Sequence, residues 1–250
     1  MEKFMNTQTE SLMTPKAMPI ERGAGWLFDG FGYFSRSPMA WIGTIILLII
    51  IGGATTIIPV IGALAPYLFM PVIMGGLMLG CQAQAQGGEF SVNHLFAGFS
   101  NNTAQLIVLG LLYMVGVIVI TVVVVVIIFA LVGGTAILQD FQAGNPEVIA
   151  NYASEILLGI LMILALYLPL LMALWFAPAL VILNDVAPVK ALKLSFMACL
   201  MNILPFTLYG IVGLILMFIA VIPLGLGMLI LIPMMTASVY ISYSEIFNTN

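Results

Sequence analysis

Histidine occurs once in these 250 residues, cysteine twice, and charged side chains make up only 6% of the chain. The lone histidine, His94, excludes a histidine-based triad and any multi-histidine metal site within one chain. A soluble domain carries roughly a quarter charged residues and just under half apolar ones. Here 63% are hydrophobic and the mean hydropathy is +1.22. That leaves too little polar surface to coat a globule in water. A cytoplasmic enzyme, a secreted disulfide scaffold and a nucleic-acid binder are all excluded, and the composition describes an integral membrane protein.

The sixteen charged residues cluster, and the gaps between them mark the membrane segments. Uncharged stretches run over 37–88, 90–139, 156–184 and 194–244. At 1.5 Å per residue, about 20 apolar residues cross a hydrocarbon core of about 30 Å. Runs such as Thr44–Ile51 and Val122–Phe129 lack the every-second-residue alternation of a barrel strand. The expected fold is therefore an all-α membrane bundle. Six transmembrane helices are predicted, at about 40–58, 64–83, 103–132, 153–183, 203–222 and 224–243. Pro59-Val60-Ile61-Gly62 separates the first two. The third, at about 45 Å of helix, is long enough to require tilt.

All six Lys and Arg fall on one side of such a bundle. Lys3, Lys16, Arg22 and Arg36 precede the first span, and Lys190 and Lys193 follow the fourth. The opposite side holds Asp140, Glu147 and Glu155. The positive-inside rule then assigns both termini to the cytoplasm. Residues 1–24 are mixed polar, without the short apolar core of a cleaved signal, and are expected to form a disordered tail.

A threefold pattern accompanies the spans. Before the odd-numbered ones lie short segments with helical apolar spacing: Leu27, Phe31 and Phe34; Val92, Leu95, Phe96 and Phe99; Val189, Leu192, Phe196 and Cys199 or Leu200. Each ends in a break, at Ser37-Pro38, Asn101-Asn102 and Asn202. These helices are expected to lie flat at the headgroup level. The even-numbered spans carry Pro71, Pro178 and Pro233. Three copies of an interfacial helix plus a helical hairpin are thus expected, at about 25–86, 91–184 and 189–247.

Few residues suit chemistry. No ionisable group lies in the middle of a span, which weighs against a proton-coupled carrier. Pro71, Pro169, Pro178 and Pro233 are candidate helix breaks, the device by which backbone groups could bind a solute. Glu89, His94 and Asp185 are the one plausible polar cluster on the cytoplasmic face. Cys81 and Cys199 are expected as buried, reduced packing residues. Gly76 and Gly80 form a GxxxG spacing suited to close helix packing. The seventeen methionines suit irregular packing between helices rather than a metal path.

Trp175-Phe176-Ala177-Pro178-Ala179, with Ala187-Pro188-Val189-Lys190-Ala191-Leu192-Lys193-Leu194-Ser195-Phe196 and Asn202, resembles a group of six-span proteobacterial inner-membrane proteins. So do Arg36–Gly43, His94–Phe99 and Tyr240–Phe247. The same arrangement is similar to YciC-like proteins and to the membrane domain attached to some glycerophosphodiester phosphodiesterases. The resemblance implies a bacterial inner membrane and no particular activity. The resulting expectation is a non-enzymatic inner-membrane protein acting through lipid or protein contacts, without cofactor or metal. Its expected partners are membrane lipids, then a membrane-protein partner or a homo-oligomer, and no nucleic acid. The alternatives are a permease-type subunit for a small or apolar solute and an enzyme acting on lipid headgroups.

Overall fold

The structure is a computed structural model that describes residues 14–57, 59–132, 139, 142 and 148–247. Within these residues it is all-helical. The helices are α1 (Arg22–Arg36), α2 (Pro38–Thr55), α3 (Pro59–Ala85), α4 (His94–Ala97), α5 (Thr103–Val132), α6 (Val148–Asn151), α7 (Ala153–Trp175), α8 (Ala177–Asn184), α9 (Pro188–Met201), α10 (Ile203–Val221) and α11 (Met228–Ile246).

Six stretches are long and apolar enough to cross a membrane: Pro38–Thr55, Leu64–Ala85, Thr103–Leu131, Ala153–Asn184, Ile203–Val221 and Met228–Ile246. The last starts four residues later than its hydropathy suggests and ends three later. The cause is local. Residues 222–227 form a turn in which Leu224 and Gly225 take positive φ, so the helix cannot begin before Met228. At the far end Ser244 and Glu245 stay helical because Arg22 and Trp26 bind the Glu245 carboxylate there.

The chain forms two compact units. One comprises residues 112–171, which include most of α5 and most of α7. There Tyr113 and Tyr167 hydroxyls bond to each other, and Gly159 faces Ile128. The other unit holds the remaining described residues and the hydrophobic core, with Trp26, Leu27, Trp41, Phe176, Tyr243 and Phe247 among the deepest side chains.

The three segments expected at the headgroup level pack against spans within this second unit. Helix α1 runs antiparallel to α11 and also meets α10, from Arg22 beside Glu245 to Gly30 beside Met234. The 90–98 segment lies on α3, with the Phe90 ring and His94 over Gly80 and the His94 carbonyl over Gly76. Gly76 and Gly80 thus seat a neighbouring segment of the same chain. Helix α9 folds back along α8 and the end of α7.

Part of each apolar spacing turns inward and part outward, so these segments are packed against spans as well as facing the membrane surface. Helix α1 buries Gly23, Trp26, Leu27, Gly30 and Phe34, while Phe28 and Phe31 are exposed. Helix α9 buries Ala191, Ser195, Ala198 and Cys199, and exposes Val189, Met197 and Leu200. In the 90–98 segment Phe90, Leu95 and Gly98 are buried, with Phe96 and Phe99 outward. Small residues let helices approach closely. Gly23 and Gly30 thus stand beside Trp26, Leu27 and Phe34 on the packed face of α1, and Ala191, Ser195 and Ala198 make that of α9.

The tail also differs from expectation. Residues 1–13 lie outside the described residues, but from Thr14 the chain is held. Lys16 N–H donates to the Ile246 carbonyl (3.0 Å), and Asn202 bonds the main chain at both Lys16 and Met18. The helix α1 begins at Arg22.

Candidate functional site

The polar side chains of the larger unit collect where α1, α9 and the ends of α3, α8 and α11 meet. Arg22 is central. Its guanidinium donates to both oxygens of Glu245 and to Asp29 (2.8 Å). The Trp26 indole N–H donates to the same Glu245 carboxylate at 2.9 Å. The hydrogen bond to Glu245 raises the Arg22 pKa above its ordinary value against the opposing cost of burial, so the cation is fixed. These bonds join the start of α1 to the last turn of α11.

Asn202, fully buried between α9 and α10, is a second junction. Its Nδ2 donates to the Lys16 and Ala198 carbonyls (3.0 and 2.8 Å), and its Oδ1 accepts from Met18 N–H (2.8 Å). Asn102, at φ 51°, is a third. Its Nδ2 donates to the Val181 carbonyl (3.0 Å) and to Asp185 (2.6 Å). Gln84, buried at the end of α3, donates to the Tyr33 carbonyl (3.1 Å) and to Ser37 Oγ (3.2 Å). Deeper in the unit Tyr209 and Ser238 hydroxyls bond to each other, as do Tyr243 and the Asn184 side chain.

Of the expected cluster, each member has its own surroundings. His94 Nδ1 accepts from Ser91 N–H (3.0 Å) and its ring lies beside Phe90. Asp185 accepts from Asn102. No hydrogen bond or ion pair joins Glu89, His94 and Asp185 to one another among the described residues. Nor do three His, Cys, Asp or Glu side chains converge there in a way that could hold a metal ion. His94 and Asp185 are each engaged elsewhere, His94 with Ser91 and Phe90 and Asp185 with Asn102.

The proline expectation is corrected in the same way. Pro71, Pro169 and Pro233 lie inside continuous helices α3, α7 and α11. Only Pro178 accompanies a break, standing in the first turn of α8, where its missing N–H needs no partner. The break is stabilised from outside the helix. Phe176 N–H donates to Ser195 Oγ (2.9 Å), and that hydroxyl donates to the Met172 carbonyl (2.7 Å). One serine of α9 thus stands between two groups that a continuous helix would pair directly. Pro178 and Pro233 are both buried among packed side chains.

Cys199 is buried on the same face of α9, and burial pushes its thiol up to about 12. Cys81 is likewise buried and free. Ser195 and Glu245 enter the sequence reading only through the family resemblance, Asn202 through it and as a helix break, and Trp26 not at all, and none is given there a role in holding helices together. Their signal was present as a polar residue on a small-residue face (Ser195, next to Ala191 and Ala198) and as an acid placed at the end of a span (Glu245).

In the unit of residues 112–171, α5 and α7 frame an apolar groove of about 340 Å³ lined by Val124, Ile128, Phe129, Gly159 and Ile163, with Glu155 at its rim.

No family model matches the chain, and no solved structure does either. A curated protein of Burkholderia thailandensis, described as a probable inner membrane protein, is 30% identical over 226 residues, which is 87% of this chain and 80% of the relative. Such coverage leaves no room for a chance match confined to one greasy segment. The chain belongs to the same family as this probable inner membrane protein.

Proposed function

We propose that the protein is a non-enzymatic scaffold of the bacterial inner membrane, with both termini in the cytoplasm, that acts through contacts with lipids and with a membrane-protein partner or a second copy. One observation carries the reading: the polar side chains able to do chemistry are engaged in joining helices. Glu245 holds α1, Asn202 holds residues 16–18, Ser195 holds the α7–α8 break, and Asp185 holds Asn102. Other bulky apolar side chains of α1, α9 and α5 face outward, Phe28, Val189 and Val125 among them. The kinship suggested by the sequence with YciC-like proteins and the phosphodiesterase-associated membrane domain belongs to the same proposal.

The permease reading has one feature in its favour, the break at Trp175–Phe176. Its freed N–H is met by Ser195, and Phe176, Ala177 and Ala179 are packed, which supports a joint rather than a binding cavity. The test is site-specific photo-crosslinking in native membranes, with the probe at Val125 and Ile160 in the groove-forming hairpin or at Phe28 and Val189 on the outward faces. The scaffold reading expects discrete, saturable adducts with one partner or with a second copy, competed by the unlabelled protein. Adducts with bulk lipid alone, together with solute flux through proteoliposomes of the purified chain, would overturn it in favour of the permease.

A further inference from the structure

The same backbone contact occurs three times in the larger unit. Gly30 of α1 lies against the Met234 carbonyl and the N–H of Ser238, four residues on. Gly98 lies against the Val72 carbonyl and the N–H of Gly76, again four residues on. Ser195 bonds the Met172 carbonyl and the N–H of Phe176, also four residues on. Around these positions the sequence repeats too: Leu27-Phe28-Asp29-Gly30-Phe31, Leu95-Phe96-Ala97-Gly98-Phe99, and Leu192-Lys193-Leu194-Ser195-Phe196. In each, the leucine three residues earlier faces inward to some degree, most fully at Leu27 and Leu95.

A second contact type also recurs. The residue just before each odd-numbered span makes a contact that leads to the end of the following even-numbered one, directly in two cases and through the 16–18 segment in the third. Ser37 accepts from Gln84, Asn102 donates to Val181 and Asp185, and Asn202 bonds Lys16 and Met18, of which Lys16 N–H donates to the Ile246 carbonyl. The segment before each odd span meanwhile rests on the preceding even one: residues 90–98 on α3, α9 on α7 and α8, and α1 on α11. The last pairing joins the first part to the third, so the order is cyclic.

We propose that the larger unit is a ring of three equivalent parts, whose third joint is a strap of residues 14–18 clasped by Asn202. The other two joints are continuous chain, residues 86–91 and 185–187. The strap does the same work without a covalent link, since Asn202 reads only the carbonyl of Lys16 and the N–H of Met18 and ignores their side chains. It is a main-chain recognition site filled by the protein's own segment. The register also corrects the proline correspondence. Met172 matches Val72 and Met234, so Leu171, not Pro178, matches Pro71 and Pro233.

A circular permutant tests the ring. Residues 247 and 14 are joined by a Gly/Ser linker, and the chain is opened between Gly87 and Gly88. The cut lies on the face that carries the original ends, so every hairpin keeps its orientation. A ring expects the permutant to insert with a folded yield within about twofold of the parent, as permutation between adjacent ends allows. A cut inside α10, between Leu214 and Ile215, should abolish folding. Equal failure of both cuts would overturn the ring. Independently, Gly30→Ala and Gly98→Ala should lower the melting temperature by similar amounts, because each methyl would strike a carbonyl oxygen. Gly32→Ala, with open space around it, should not. If either behaves like Gly32→Ala, the parts are not equivalent. For the clasp, Asn202→Ala should expose Lys16 to trypsin while Asn101→Ala does not. Unchanged protection in Asn202→Ala would remove the strap's role.

Discussion

Glu245 stands at the end of the last span and accepts from Arg22 twice and from Trp26 once, all three in a half-buried setting. Glu245→Ala leaves the Arg22 cation with Asp29 alone and the buried Trp26 N–H without its acceptor. Losing charged hydrogen bonds of this kind costs about 1–3 kcal/mol, discounted here because both side chains keep some contact with solvent. Glu245→Gln should lose less, since the amide still accepts from both donors. Thermal melts of the two variants in detergent check the order, and an alanine variant as stable as the parent would mean that α1 is held by packing alone. None of this was legible in the sequence. Glu245 reads there as a polar terminus, and the partner 223 residues away becomes visible only when α1 folds back on α11.

The helices teach a sharper lesson about what apolar spacing means in lipid. In α1 and α9 the periodicity found the helices and their ends, at Ser37 and Asn202, and set their apolar faces toward the headgroup level. Phe31 and Val189 do point outward, but Leu27, Phe34 and Cys199 of the same faces are buried, and the closest backbone contacts are made by Gly30 and Ser195. Apolar spacing alone does not pick out the packed face in lipid, where close approach by small residues adds to burial of bulk. The α7–α8 break offers a test at this scale. Ser195→Ala keeps the Cβ between Met172 and Phe176 but removes the hydroxyl that bonds both, orphaning a buried N–H at a cost of about 1–3 kcal/mol. Ser195→Gly removes the obstruction as well, so Phe176 N–H can close on the Met172 carbonyl as in an unbroken helix. Glycine is ordinarily the poorer helix former by about 1 kcal/mol. At position 195 it should nevertheless give the more stable protein, and a melting temperature for Ser195→Ala above that of Ser195→Gly would refute the account of the break.

For the molecule as a whole, six apolar helices were readable because lipid imposes a minimum length and forbids interior charge, constraints that act on composition alone. Lateral position is a different matter: that Glu89, His94 and Asp185 are expected on one side of a membrane says nothing about the distances between them. The same one-sidedness does carry a prediction about orientation. Lys16, Arg22, Arg36, Lys190 and Lys193 all belong to the strap, α1 and α9, which meet the ends of the spans that bear the termini. A cation near a span resists translocation, so the face with all the cations should remain in the cytoplasm. Compartment reporters fused after residue 250 and inserted near residue 142 should give opposite answers, cytoplasmic and periplasmic. The bias can then be reversed deliberately. Replacing Arg36, Lys190 and Lys193 by glutamine while adding three lysines around residue 142 should produce a mixed or inverted population. If the altered chain keeps a single orientation with its termini still inside, the packed joints of α1 and α9, rather than the distribution of cations, set the topology.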